Sequence, residues 1–244
     1  NLDLSDNYKT FSYEKQSLAL KGTAGTGGCF IKTPWSSSLT DALSSSAKTV
    51  EFRIKPLRST SQYHLFGLSG SDAAKDPHLV LTPYTGNDIS SSGDSTQYGK
   101  LDLYMAGILG ASTSNFPVYN GGFWNIFIGT EGNSGSNSAV KFGAYQSNFN
   151  KNVHHYEGSA TIAEGFRQPT WGDPYYQNNN IGGALYAYFG GVDANPNSNY
   201  NNFDGLEYSG SLQEIRYHFH QSASYNMLSH HTLKKHAREP FMYA

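Results

Sequence analysis

Carboxylates, histidines and a lone cysteine are the residues here whose chemistry depends on spacing. A retaining glycosidase needs two carboxylates about 5 Å apart, which on one strand means acids of the same parity. The acids Glu14, Glu51, Asp102, Glu131, Glu157, Glu164, Asp204, Glu207 and Glu214 are scattered, and Asp204 and Glu207 have opposite parity. They read as solvated or turn-capping groups. His218 and His220 share a strand face, and His230, His231 and His236 follow. A His-x-His pair can hold zinc once a third ligand joins it, but no acid or cysteine cluster accompanies this pair in sequence. Cys29 sits in Gly27-Gly28-Cys29-Phe30-Ile31 with no histidine close in sequence to activate it, so it reads as a buried, inert thiol. Nucleophile-elbow and phosphate-loop patterns are absent. The sequence therefore assigns no catalytic residue, no metal ligand and no cofactor. Calcium binding through Asp88, Asp94, Asp193 or backbone carbonyls stays open, without a motif.

Surface recognition is the remaining chemistry. The stretches 167–180 and 193–202 are nearly free of charge and rich in Tyr, Trp and Asn. Aromatic rings stack on sugar faces while Asn and Asp bond hydroxyls, and the same residues suit protein interfaces. Trp171, Tyr175, Tyr176 and Tyr200 are the candidate ligand- or partner-binding residues.

Strands must position these groups. Thr49 to Pro56, TVEFRIKP, alternates Val50, Phe52 and Ile54 against Glu51, Arg53 and Lys55, a strand with one face on a core and one in water. Ile215, Tyr217 and Phe219 alternate in the same way with Glu214, Arg216, His218 and His220. Leu212 has the polar parity, so a bulge near Gly210-Ser211 is required to turn it inward. Further strands are expected at 17–20, 29–31, 63–68, 78–84, 101–105, 125–129, 140–146, 156–164 and 184–192. After Ser222-Ala-Ser224, Tyr225, Leu228 and Thr232 recur at helical spacing; Lys234, Lys235, His236 and Arg238 suit the helix end, and Pro240 stops it. The expected core comprises Val50, Phe52, Ile54, Leu101, Leu103, Phe127, Ile215, Tyr217 and Phe219.

The segment GSLQEIRYHFH followed by a short helix resembles the close of laminin-G-like, concanavalin-A-like jelly rolls. TVEFRIKP resembles the family strand written "sfsvwvkp", and Gly121-Gly122-Phe123-Trp124-Asn125 resembles "dgxWhhvaxt", with Asn125 where that pattern often has His and Trp124 as a packing residue. The resemblance spans roughly residues 15 to 240. It implies an all-β sandwich of two antiparallel sheets with one short C-terminal helix. Hydrolases of this superfamily carry Glu-x-Asp-x-x-Glu or a near variant, which does not occur here, and the calcium arrangement of legume-type lectins is missing too. The wording around Gln213-Glu214-Ile215-Arg216-Tyr217 most resembles versions in large structural proteins of viruses and phages.

The composition sets the outer bounds. The 244 residues suit one sandwich, read here as a single domain, 1–244, that is a fragment or module of a longer chain. Charged residues make up 15% and the net charge is −2, against 26 Gly and 18 Tyr. That balance gives nucleic acid no basic footprint to hold. No apolar run reaches the roughly 18 residues of a membrane span. The expectation is a non-enzymatic structural and recognition module of a virion or extracellular particle surface, binding glycans or neighbouring subunits. A glycan-active hydrolase or lyase, and a secreted carbohydrate-binding module, are the alternatives.

Overall fold

In the computed structural model the described residues are 3–4, 10–12, 17–21, 29–35, 48–69, 77–86, 95–105, 108–130, 138–147, 153–162, 185–192, 203, 205–219 and 230–238. Their strands are β1 (Asp3–Leu4), β2 (Thr10–Ser12), β3 (Ser17–Lys21), β4 (Ile31–Trp35), β5 (Lys48–Pro56), β6 (Tyr63–Ser69) and β7 (Pro77–Pro83). They continue with β8 (Gly99–Met105), β9 (Ile108–Ser112), β10 (Trp124–Thr130), β11 (Ser138–Ser147), β12 (Val153–Ile162), β13 (Leu185–Phe189) and β14 (Ser209–Phe219). One α-helix, α1 (His230–Arg238), follows.

The strands form two seven-stranded sheets, in the orders β1-β4-β13-β6-β7-β8-β9 and β12-β11-β10-β5-β14-β3-β2. Every named strand pair is antiparallel. This is the jelly-roll sandwich that the resemblance implied. β3 and β4, adjacent in sequence, lie in opposite sheets.

Alternation builds the core. The first sheet contributes Ile31, Leu79, Leu81, Leu101, Leu103 and Phe189, and the second Val50, Phe52, Ile54, Trp124, Ile126 and Phe142, all in one buried cluster. Phe52 meets Phe189 edge-on at 5.2 Å and lies 6.4 Å from Phe66, so three rings fill the middle. Trp124 is fully buried against Phe116, 4.9 Å between ring centroids, as a packing residue should be. Cys29 is buried, as expected. Ile215 and Tyr217 pack half-buried against the core, while the side chain of Phe219 lies outside the described residues. Phe127 departs from expectation. It is buried, but on the far side of its sheet, where Tyr145, Leu233 and Ala237 cover it.

Leu212 does turn inward, 4% exposed, but the bulge that allows it falls later than predicted, between Gln213 and Arg216. There Glu214 adopts φ 49°, a left-handed conformation uncommon for a residue with a side chain.

The outer face of the first sheet holds a small second cluster. His64 Nε2 and His78 Nδ1 are 2.9 Å apart, and Phe203 stacks on His78 at 4.1 Å. Burial pushes both imidazoles down, His64 to about 3. As pH falls below about 6.5, the unfolded chain takes up protons that the folded pair resists, so stability drops until roughly pH 3. Urea melts of His64→Gln should show a shallower loss of stability across that window than the wild type. Phe52→Ala should cost about 3–5 kcal/mol in the same melts, since the ring fills the space between the sheets; a loss under 1 kcal/mol would contradict the packing described.

Candidate functional site

The strand faces expected to be solvated are largely buried. On β5, Glu51 is 0% and Arg53 9% exposed, and only Lys55 remains open. Asp102 (2%) and Glu207 (8%) are buried as well, so the reading of these acids as solvated does not hold. Asp102 is enclosed within the first sheet, where Thr82 and Ser112 donate to it; for Glu51 the reason is tertiary. Helix α1 lies on the outer face of the second sheet, with Leu233 and Ala237 on Phe127 and Tyr145.

Register makes this face a lattice of polar side chains. Gln213 pairs with Arg53, Arg53 with Asn125, Asn125 with Tyr145, and Tyr145 with His155. One row therefore crosses five adjacent strands, β14, β5, β10, β11 and β12. At roughly 4.8 Å per strand it spans about 19 Å. The next row runs Arg216, Glu51, Phe127, Gly143, Glu157. Gly143 must lack a side chain, because a Cβ there would come within 2.4 Å of the Tyr156 carbonyl and 2.8 Å of the Phe127 ring. Parity supplies the face; the bulge keeps Gln213, Arg216 and His218 together on it.

Two charge networks occupy the lattice. In the first, Glu214 accepts from Arg216 Nη2 at 2.8 Å and faces Arg53 Nη1 at 3.6 Å. The left-handed backbone at Glu214 belongs to the bulge that sets this carboxylate between two guanidiniums. Arg53 Nε and Nη1 and Arg216 Nη1 have no hydrogen-bond acceptor among the described residues, although buried. Burial lowers the Arg53 pKa, and Glu214 acts against that shift. The Arg53 guanidinium lies 5.6 Å from the half-buried Phe123 ring.

In the second, Glu51 Oε2 accepts from His218 Nε2 and His236 Nδ1, each at 2.7 Å, and Oε1 accepts from Asn125 Nδ2 at 2.9 Å. Burial alone would raise this carboxyl; the hydrogen bonds from His218, His236 and Asn125 outweigh it and bring the pKa down to about 2. Beside these networks, the buried Tyr145 hydroxyl donates to Glu157 in a very short contact, and burial with that bond raises the phenol pKa.

Trp171, Tyr175, Tyr176 and Tyr200 lie outside the described residues, as do His220, Asp88, Asp94 and Asp193. The loop site and calcium readings therefore stand as expectations. Sequence reasoning does not bring Glu51, Asn125 and Tyr145 together as members of one candidate site. Position 51 reads as a water-facing strand acid, and nothing local shows that a helix near the C-terminus covers it. Asn125 carries one signal only, that it stands where the family pattern has His.

No family model matches this chain, and no curated protein sequence matches it. Several solved structures are similar in fold. A native heptameric SAP-like pentraxin from Limulus polyphemus is 13% identical at TM-score 0.49, covering 91% of this chain and 81% of its own. An alginate lyase from Alteromonas sp. 272 is 13% identical at TM-score 0.44, covering 91% and 95%. The CBM40 of the Ruminococcus gnavus IT-sialidase is 12% identical at TM-score 0.40, covering 90% and 97%. Likeness this distant carries no weight in reading the site.

The Glu51 network sets an acid limit. A carboxylate whose folded pKa is depressed contributes stability above its unfolded value near 4.5, lost as pH falls toward 2. The contribution is about 3 kcal/mol, since each tenfold change in proton affinity is worth about 1.4 kcal/mol. Urea melts from pH 5 to pH 2 should show this loss in the wild type and a much smaller one in Glu51→Gln. Equal slopes would show that Glu51 does not carry it.

Proposed function

We propose that the chain is a non-enzymatic recognition module that binds carboxylated glycans at the exposed margin of the outer face of the second sheet, at the His155 end of the row. The observation that supports this best is the row Gln213-Arg53-Asn125-Tyr145-His155, polar side chains in register across five strands. Arg53 stands in the row between two carboxamides. A guanidinium offers a carboxylate two parallel N–H bonds, and carboxamides bond hydroxyls as donor or acceptor. Its Nε and Nη1 protons lack an acceptor among the described residues, and such buried donors gain most from a charged oxygen. Phe123, half-buried beside Arg53, and the exposed His155 are the rings through which a sugar would meet the row. A virion or particle-surface setting belongs to the same proposal and rests on the sequence resemblance around Gln213-Glu214-Ile215-Arg216-Tyr217. Neighbouring subunits are the other partner class within it.

A glycan-active lyase or hydrolase is the second reading, favoured by the Tyr145–Glu157 contact beside Arg53 and Asn125. A phenol held protonated in this way is a proton donor, so a reaction would need its base elsewhere.

Titration with oligouronates and sialylated oligosaccharides separates these readings. Under the proposal, binding occurs without product, and Arg53→Gln weakens it roughly 10- to 100-fold, the worth of charge-assisted bonds. Trp171→Ala with Tyr175→Ala should then leave binding intact. If binding instead survives Arg53→Gln and fails in that double variant, the aromatic loops are the site. Shortened or unsaturated products from the wild type would favour the enzyme.

A further inference from the structure

We infer that Glu51, His218 and His236 form a binding site for a divalent transition-metal ion of the zinc class, with three protein ligands and one open position. None of the three ligands lies in the Gln213–His155 row, which touches the triad through Asn125. The three side chains come from β5, β14 and α1, and their ligand atoms all lie within 4.8 Å of one another. The donor set is two imidazoles and one carboxylate, a combination that suits zinc and its neighbours and that calcium and magnesium disfavour.

The geometry is close to what an ion requires. At zinc–ligand distances of about 2.0–2.1 Å, tetrahedral ligands stand roughly 3.3 Å apart. His218 Nε2 and His236 Nδ1 are each 2.7 Å from Glu51 Oε2. Opening each of these contacts by about 0.6 Å, and drawing the ligand atoms in from their 4.8 Å spread, admits the ion between them. The two rings lie near-parallel, 20° between planes and 5.7 Å between centroids, so both edges face the same carboxylate. Asn125 Nδ2 holds the other oxygen of Glu51 at 2.9 Å, as outer partners of metal ligands do. Glu51 is fully buried and the His236 side chain 8% exposed, whereas His218 keeps 23% of its side-chain surface. The open fourth position therefore faces solvent on the His218 side, where a water or a ligand oxygen completes the tetrahedron.

In the metal-free triad each imidazole donates an N–H to Glu51; in the loaded site each presents that nitrogen's lone pair, a neutral ring by carrying its proton on the other nitrogen and a charged ring by releasing one proton to solvent. The ion ties the C-terminal helix to the central strands of the sheet. That bond exists only in the folded chain, so zinc raises folded stability, by an amount that grows with the logarithm of its free concentration once the site is filled.

The test uses the intact chain, dialysed against chelator and then titrated with Zn²⁺ by calorimetry and with Co²⁺ by visible absorption. Expected are one ion per chain, intense ligand-field bands of four-coordinate Co²⁺, and a rise in melting temperature with Zn²⁺. His218→Ala, at the partly exposed ligand, and His236→Ala should each weaken Zn²⁺ at least 100-fold and abolish the Co²⁺ bands. His154→Ala, on an exposed strand position, should change neither. Circular dichroism checks that the variants fold; if His236→Ala does not, His218→Ala and Glu51→Gln decide. No saturable Zn²⁺ binding by the wild type, or binding that survives His218→Ala and Glu51→Gln, would show that the triad is a hydrogen-bonded brace only.

Discussion

An ionised carboxylate with no exposure to water is the constraint on which the outer half of this molecule depends. Glu51 sits mid-strand at the centre of the second sheet, under the C-terminal helix. Leaving it uncompensated would cost several kcal/mol, more than a marginally stable domain can spare. Compensation comes from β10 through Asn125, from β14 through His218, and from α1 through His236. Each partner fixes the placement of its own element. The helix cannot slide along the sheet without breaking the His236 bond, and its apolar residues Leu233 and Ala237 then land on Phe127 and Tyr145.

The sandwich below is conventional by comparison. Alternation fills the space between the sheets with Val, Ile, Leu and Phe, and rings at the centre interlock edge to face. This inner face is mostly apolar, with the Tyr217 hydroxyl bonded to Thr33 across it, so the charged groups of the central strands fall on the outside. There the register aligns them into rows. The same pleat that makes the core therefore makes the surface that could recognise a ligand.

The network of Glu214 with Arg53 and Arg216 depends on a strained element, Glu214 itself, whose left-handed backbone sits in the bulge of β14. Without that bulge the period of two would turn Leu212 outward or Arg216 inward. With it, Leu212 reaches the core while Gln213, Arg216 and His218 keep their places beside Arg53, Glu51 and Thr49. One irregular residue reconciles two conflicting parities.

Much of this was determined by the sequence alone. Period-two patterns in TVEFRIKP and QEIRYHF set strand, inward face and fold class, because alternation is a local property that needs only the pleat. The end of the terminal helix was legible from its basic residues, whereas Tyr225 and Leu228, which set its expected spacing, lie outside the described residues. The short β9 was not legible, since Ile108-Leu109 is too brief and too exposed to show a pattern. The site was beyond local reading for a different reason. Glu51 and His236 are 185 residues apart and carry no motif together. An outward strand residue is solvated or buried according to what lies on the sheet, and only tertiary packing decides that. Once α1 settles there, the pattern that promised a water-facing strand yields a buried carboxylate between two histidines.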